Sequence, residues 1–191
     1  MRLALIGSML FGLAGCAGHQ PPTAAAPRAA TGTLDPDEYA IYRRVLRAEA
    51  DSATQLVLAR ADLRVSGLDT NVARWDSELD SAFIRVTQHP GRIDSLHLGL
   101  PGVHVIAEDR LPAWPMDYRE QRRRWDALQR RYGPDITFIH FSRVGFNRAR
   151  TRAEVQYVAR SGPACDFVER RTVFGRASGE WSPISESASF C

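Results

Sequence analysis

The chain has 191 residues, 44% hydrophobic and 25% charged, with a formal net charge of +3. That balance excludes an intrinsically disordered chain and suits a single globular domain with one core. All 25 basic residues are arginine, spread along the whole length, so the codon preference of a GC-rich genome explains them more simply than a phosphate site does, although the guanidinium fork suits anions. The charge is uneven: Met1 to Pro115 carries 11 Arg against 13 acids, and Met116 to Cys191 carries 14 Arg against 9. A basic C-terminal half can approach anionic lipid or acidic polymer by screened attraction over about 10 Å. No nucleic-acid-binding motif is present, and nucleic acid is not an expected partner.

The chain opens with MRLALIGSMLFGLAG, in which Arg2 precedes an apolar run from Leu3 to Leu13 and small residues at Ala14 and Gly15. Charged, apolar and small-residue zones in that order make an export signal. The run is too short for a membrane-crossing helix, which needs about 20 apolar residues. Leu13-Ala14-Gly15-Cys16 resembles the lipobox of bacterial lipoproteins. The resemblance implies diacylation of the Cys16 thiol, cleavage before it, and a further acyl chain on the new amino terminus. Two or more acyl chains anchor a protein stably, whereas one gives marginal binding. Ala17, where an aspartate would mark retention at the inner membrane, implies an outer-membrane location facing the periplasm in a host with two membranes.

Residues 16–33, rich in alanine and proline, lack hydrophobic periodicity and are expected to form a tether. Its expected reach is roughly 50 Å when fully extended. The folded domain is expected over 34–191. It opens with a helix in which Asp35 caps, Pro36 takes the first position, and Asp37 and Glu38 suit the positive helix end. Tyr39, Tyr42, Val45 and Leu46 share one face. Gln55 to Val65 has a strand's composition, and a second helix is expected from Trp75 to Thr87, stopped by His89-Pro90. Val103 to Ala107 follows as a short strand. Asp117 to Tyr132 is a charged helix with Tyr118, Trp125, Leu128 and Tyr132 as its buried stripe, ended by Gly133-Pro134.

From Ile136 the pattern changes to short alternating runs: ITFIHFSRVGF, RAEVQYVA, FVERRTVFG and GEWSPISESASF. Asn147, Ser161-Gly162-Pro163 and Ser178-Gly179 punctuate them. The expected fold is therefore α+β, with N-terminal helices packed on a C-terminal antiparallel meander of about four strands.

With Cys16 assigned to lipid, Cys165 and Cys191 remain as an even pair in an oxidising compartment. A bridge between them is expected to close a loop of about 27 residues and to stabilise the fold by roughly 3.5 kcal/mol in the chain-entropy model. An intermolecular bond through Cys191 and a metal site stay open as alternatives, the second poorly supported because no histidine pair lies nearby.

The stretch RRYGPDITFIHFSRVGFNRARTRAEVQYVA resembles an uncharacterised bacterial domain family with a helix, a turn, and an S-R-V-G-F-N strand leading into a hairpin and a cysteine-bearing loop. Ser142, Arg143, Val144, Gly145, Phe146 and Asn147 carry the likeness, with Thr151, Ala153 and Val155 in the next strand. Family members often place two cysteines in the loop before the third strand. Here Cys165 stands there by itself, and the resemblance implies Cys191 as the substitute partner. The resemblance implies an α+β fold and supplies no mechanism.

No catalytic constellation is legible. Ser142, Arg143 and Asn147 could hold an anion, but adjacent strand residues point to opposite faces, and asparagine is favoured in turns for its own sake. His19, His89, His97, His104 and His140 match no metal spacing, and neither a metal nor a cofactor is expected. The adjacent acids Glu108 and Asp109 diverge on a strand. Arg122, Arg123 and Arg124 read as solvated surface, with Glu120 spaced to pair with Arg123 or Arg124. The expectation is a non-enzymatic envelope lipoprotein, held to the membrane by its lipid and offering a surface to an envelope protein partner. The alternative is a hydrolase or small-ligand enzyme with a pocket between the helices and a curved sheet, for which His104 and Arg143 converging in a deep pocket would speak.

Overall fold

The computed structural model describes residues 32–50, 55–61, 76–89, 91–106, 117–163 and 166–190. Cys16, His19, Glu108, Asp109, Cys165 and Cys191 lie outside them. The elements, in chain order, are β1 (Gly32–Thr33), α1 (Pro36–Ala50), β2 (Gln55–Ala61), α2 (Ser77–Thr87), β3 (Gly91–Arg92), α3 (Ser95–Leu98), β4 (Val103–Val105) and α4 (Tyr118–Tyr132). The C-terminal part is all strand: β5 (Ile136–Phe141), β6 (Gly145–Phe146), β7 (Arg152–Arg160), β8 (Phe167–Ala177) and β9 (Glu180–Phe190).

The fold is α+β. The expected meander is present, since β5, β7, β8 and β9 pair antiparallel in that order. The sheet also runs on past it. β2 lies parallel to β5 and to β4, and beyond β2 come β3 and β1. The sheet is thus mixed, and Gly32–Thr33, the last two residues of the expected tether, form its outermost strand on that side among the described residues.

Local chemistry sets the helices where the sequence suggests. Asp35 Oδ1 accepts the Asp37 N–H at 2.8 Å, and Glu38 reaches back so that the Asp35 N–H donates to its Oε2 at 2.8 Å. This is a reciprocal capping box, satisfying donors that the first helical turn leaves without partners. Asp76 caps α2 by accepting from the Glu78 and Leu79 N–H groups, and Asp117 caps α4 by accepting from the Glu120 N–H. On α4, Trp125 and Leu128 are buried and Tyr132 is partly so, but Tyr118 is 50% exposed and does not belong to the buried stripe.

Register divides the layers. Ala153, Val155, Tyr157 and Ala159 of β7 alternate with Glu154, so the two sets face opposite sides of the sheet. The first set joins Ile139, Phe141 and the Tyr39, Ile41, Tyr42, Val45 and Leu46 face of α1 in the main core. The second side carries α4, whose Trp125 and Leu128 pack on Ile136, Phe138 and Ile106. α2 lies on that same side, because its Asp80 meets Arg171 beside Glu154. The result is three layers: α1, the sheet, and α2 with α4.

The run expected as one strand from Ile136 to Phe146 breaks at Ser142–Val144. Phe141 pairs with Tyr157 and Gly145 with Glu154, so β5–β6 advances four residues while β7 advances three. This is a bulge. Side chains take over the ladder there: the Gln156 N–H donates to Ser142 Oγ at 2.9 Å, and the Val144 N–H donates to Glu38 Oε1 at 3.2 Å.

Candidate functional site

The bulge gathers the residues that the sequence marks most clearly. Glu38, on the first turn of α1, is 1% exposed. Its carboxylate receives the Arg143 Nε and Nη2 donors at 2.7 and 2.9 Å, a bidentate pair. Burial pulls the Arg143 guanidinium down, but the hydrogen bond and charge of Glu38 outweigh it, and its pKa lies above the ordinary value. The Tyr42 hydroxyl donates to the Ser142 carbonyl at 2.9 Å, and the Ser142 hydroxyl donates to the Arg143 carbonyl at 2.8 Å. Burial, reinforced by the Glu38 charge, pushes the Tyr42 phenol well above its usual pKa and keeps it a neutral donor.

The remaining motif residues are likewise engaged. A Cβ on Gly145 would overlap the Phe83 backbone, so glycine lets α2 approach the sheet. Phe146 lies 5.6 Å from the Trp181 ring and takes the Arg150 guanidinium over its face at 4.3 Å. Asn147 Oδ1 accepts the Thr151 and Arg152 N–H groups at 2.9 and 3.0 Å, closing the turn into β7. The motif is the joint that fastens α1 and α2 to opposite faces of one bulged strand.

A second polar cluster lies under α2. Arg171 bridges two carboxylates, Asp80 at 2.7 Å and Glu154, the latter 1% exposed. Burial raises the Glu154 pKa, Arg171 opposes the shift, and the neighbouring Asp80 carboxylate adds to it. The space beside the pair, against Ser185 and Ser187, has room for about one water molecule. A third cluster joins Asp37 to Arg150 at 2.9 Å, to Arg176 at 3.2 Å and to the Trp181 indole at 3.3 Å. Burial would raise the Asp37 pKa, but these donors and the two arginine charges lower it.

The histidines remain apart. His97 bonds Asp94 at 2.9 Å and stacks on Tyr39. The His104 ring lies 5.2 Å from Tyr132 and the His140 ring 6.4 Å from Phe138, while His89 is exposed at the end of α2. Among the described residues no three His, Cys, Asp or Glu side chains gather where they could hold a metal. Arg143 turns to α1 and His104 to α4, so the two do not converge. Arg122 of α4 approaches the Tyr118 hydroxyl at 3.5 Å, and of the two arginines expected within reach of Glu120, Arg123 makes no ion pair.

Sequence reasoning missed Glu38 as the partner of Arg143, and missed the Asp80–Arg171–Glu154 group entirely. The first had a signal, since Asp35-x-x-Glu38 is a capping-box spacing. The second had none, because its members are 74 residues apart from Asp80 to Glu154. No family model, no curated protein and no solved structure matches the chain.

Proposed function

We propose that the chain is a lipid-anchored envelope protein whose sheet domain is a binding module and not an enzyme. The observation that carries this reading is the order Arg2, apolar run, Leu13-Ala14-Gly15-Cys16, followed by an alanine- and proline-rich segment up to Gly32. The domain's own chemistry supports the second half. Ser142, Arg143 and Asn147, the best candidates for a ligand site, spend their donors and acceptors on Glu38, Gln156, Thr151 and Arg152. Under this reading the outer membrane, facing the periplasm, is the address.

The expected bridge between Cys165 and Cys191 forms part of the proposal. Val168 stands opposite Phe190 in the β8–β9 ladder. Cys165 precedes that pair by three residues and Cys191 follows it by one, so a bond within the chain asks for little travel, and a bond between chains has no such help.

The test is expression of the chain with its leader in a bacterium with two membranes, in the presence of an alkyne palmitate analogue. The parent is expected to take up label and sediment with membranes. Cys16→Ser is expected to lose both properties. An unlabelled, freely soluble parent would sink the proposal. The bridge is checked on the same material: free-thiol labelling should appear after reduction only, without a dimer that dissociates on reduction.

A further inference from the structure

We infer that the outward face of α4 docks on anionic phospholipid headgroups. The inference rests on the anchored reading, and names the surface and the chemistry that anchoring by itself leaves open.

Among the described residues, most arginines of the C-terminal strands and their turns find a carboxylate, whereas Arg44, Arg47, Arg85 and Arg92 on the N-terminal elements are exposed and make no ion pair. What sets α4 apart is that three such residues share one face. Arg143, Arg150, Arg152, Arg170, Arg171 and Arg176 each reach a carboxylate within 4.0 Å. On α4, by contrast, Arg119, Arg123 and Arg130 are exposed and make no ion pair or hydrogen bond with any described residue. At 100° per residue these three fall within a sector of about 40° on the side opposite Leu128, along a ridge of about 17 Å. Arg122 and Arg131 flank the ridge, both exposed. Glu120 and Asp126 are the sole acids on the helix against six arginines, and Asp126 stands on the ridge itself, three residues after Arg123 and four before Arg130.

Repulsion is concentrated at the N-terminal end of this face, since Asp126 stands among the arginines further along and Arg130 lies at the end where the helix dipole favours a cation. Like charges three and four residues apart, as at Arg119, Arg122 and Arg123, weaken a helix, and Arg119 also sits at the end where the helix dipole disfavours a cation. The half-exposed Tyr118 stands at the edge of the ridge with its hydroxyl near Arg122. An amphipathic ring beside guanidinium groups suits the headgroup layer.

A lipid surface, and not a soluble polyanion, is the occupant because of the tether. Some sixteen residues between Cys16 and Gly32 would confine the domain within roughly 50 Å of the bilayer. An attraction that holds the free domain on an anionic surface at low salt is strengthened by that local concentration in the anchored chain.

The experiment uses the mature chain with Cys16→Ser, so that binding reports the domain without its acyl chains. Its sedimentation with phosphatidylcholine vesicles is compared with that on vesicles doped with phosphatidylglycerol, at low and high salt. Binding is expected on the anionic vesicles, at low salt. Arg119→Gln/Arg123→Gln/Arg130→Gln is expected to reduce the partition coefficient by about a hundredfold, at about fivefold per arginine. Arg44→Gln/Arg47→Gln/Arg92→Gln, an equal change of charge away from α4, is expected to cost a few fold. Equal losses in the two triples, indifference to phosphatidylglycerol, or binding to dextran sulfate with none to vesicles would each overturn the inference. Failure of acylation in the native protein is read separately, by the palmitate label, and leaves the vesicle result standing.

Discussion

The bulge at Ser142–Val144 and the outer face of α4 use the same cation to opposite ends. At the bulge, Arg143 is 12% exposed and held by two bonds to a Glu38 carboxylate that is itself buried. On α4, Arg119, Arg123 and Arg130 stand in solvent. A charge taken from water must be matched, and matching fixes the elements that carry it. A charge left in water fixes nothing, and its value lies in what approaches it. One residue type is therefore a fastener in the sheet and a surface on the helix, and burial separates the two uses.

The sharpest way to break this comparison is to remove the fastener. Arg143→Met should cost about 3–5 kcal/mol in urea unfolding, because it strands the Glu38 carboxylate under α1. Adding Glu38→Gln should recover part of that loss, since the amide carries no charge and its oxygen can still accept the Val144 N–H, although its NH2 group cannot accept the Asp35 N–H. A double variant as unstable as the single one would mean that the pair matters for packing and not for charge.

Gly145→Ala should come next, at about 1–3 kcal/mol, because the new methyl must push the Phe83 backbone away from the sheet. Native-state hydrogen exchange should show the loss chiefly in α2. Protection lost evenly over all helices would contradict this close approach.

A smaller and pH-dependent effect is expected at the second buried group. The Glu154 pKa is raised above its usual 4.5 by burial, against the pull of Arg171. A raised acid favours the folded state fully below its unfolded pKa, and that contribution is lost as pH rises through the folded value. Glu154→Gln should therefore match the parent in Tm under acid conditions and gain on it as pH rises. A gap that closes with rising pH would reverse the assignment. Asp37 has the opposite sign, since its lowered pKa gives stability above the unfolded value of 3.8 that is lost as pH falls through the folded one.

The smallest effect should come from α4. Neutralising Arg119, Arg123 and Arg130 together as glutamines should change stability by no more than about 0.5 kcal/mol, in calorimetry without lipid. Three arginines lost there would cost less than the single one at Arg143. A large loss would show that the ridge is structural after all.

Helix α1 was legible because its causes are local: Asp35, Pro36 and Glu38 lie within one turn, and Tyr39, Tyr42, Val45 and Leu46 follow at helical spacing. The same holds for α4, apart from Tyr118, which the period assigns to the buried side and the fold leaves half exposed. The four-strand meander was legible from its turns. The break after Phe141 was not, because the groups that cause it, Glu38 and Gln156, lie 106 residues before Val144 and 14 after Ser142. Nor was the parallel addition of β2 and β4, since pairing across a crossover leaves no mark in either strand.

By itself the sequence determined the fold class, the capped helices and the hairpins, because propensity, capping and hydrophobic period act between near neighbours in the chain. Tertiary structure alone decided which arginines are matched. A carboxylate finds its guanidinium only when the layers close, and water withdraws from some pairs and stays with other charges according to depth.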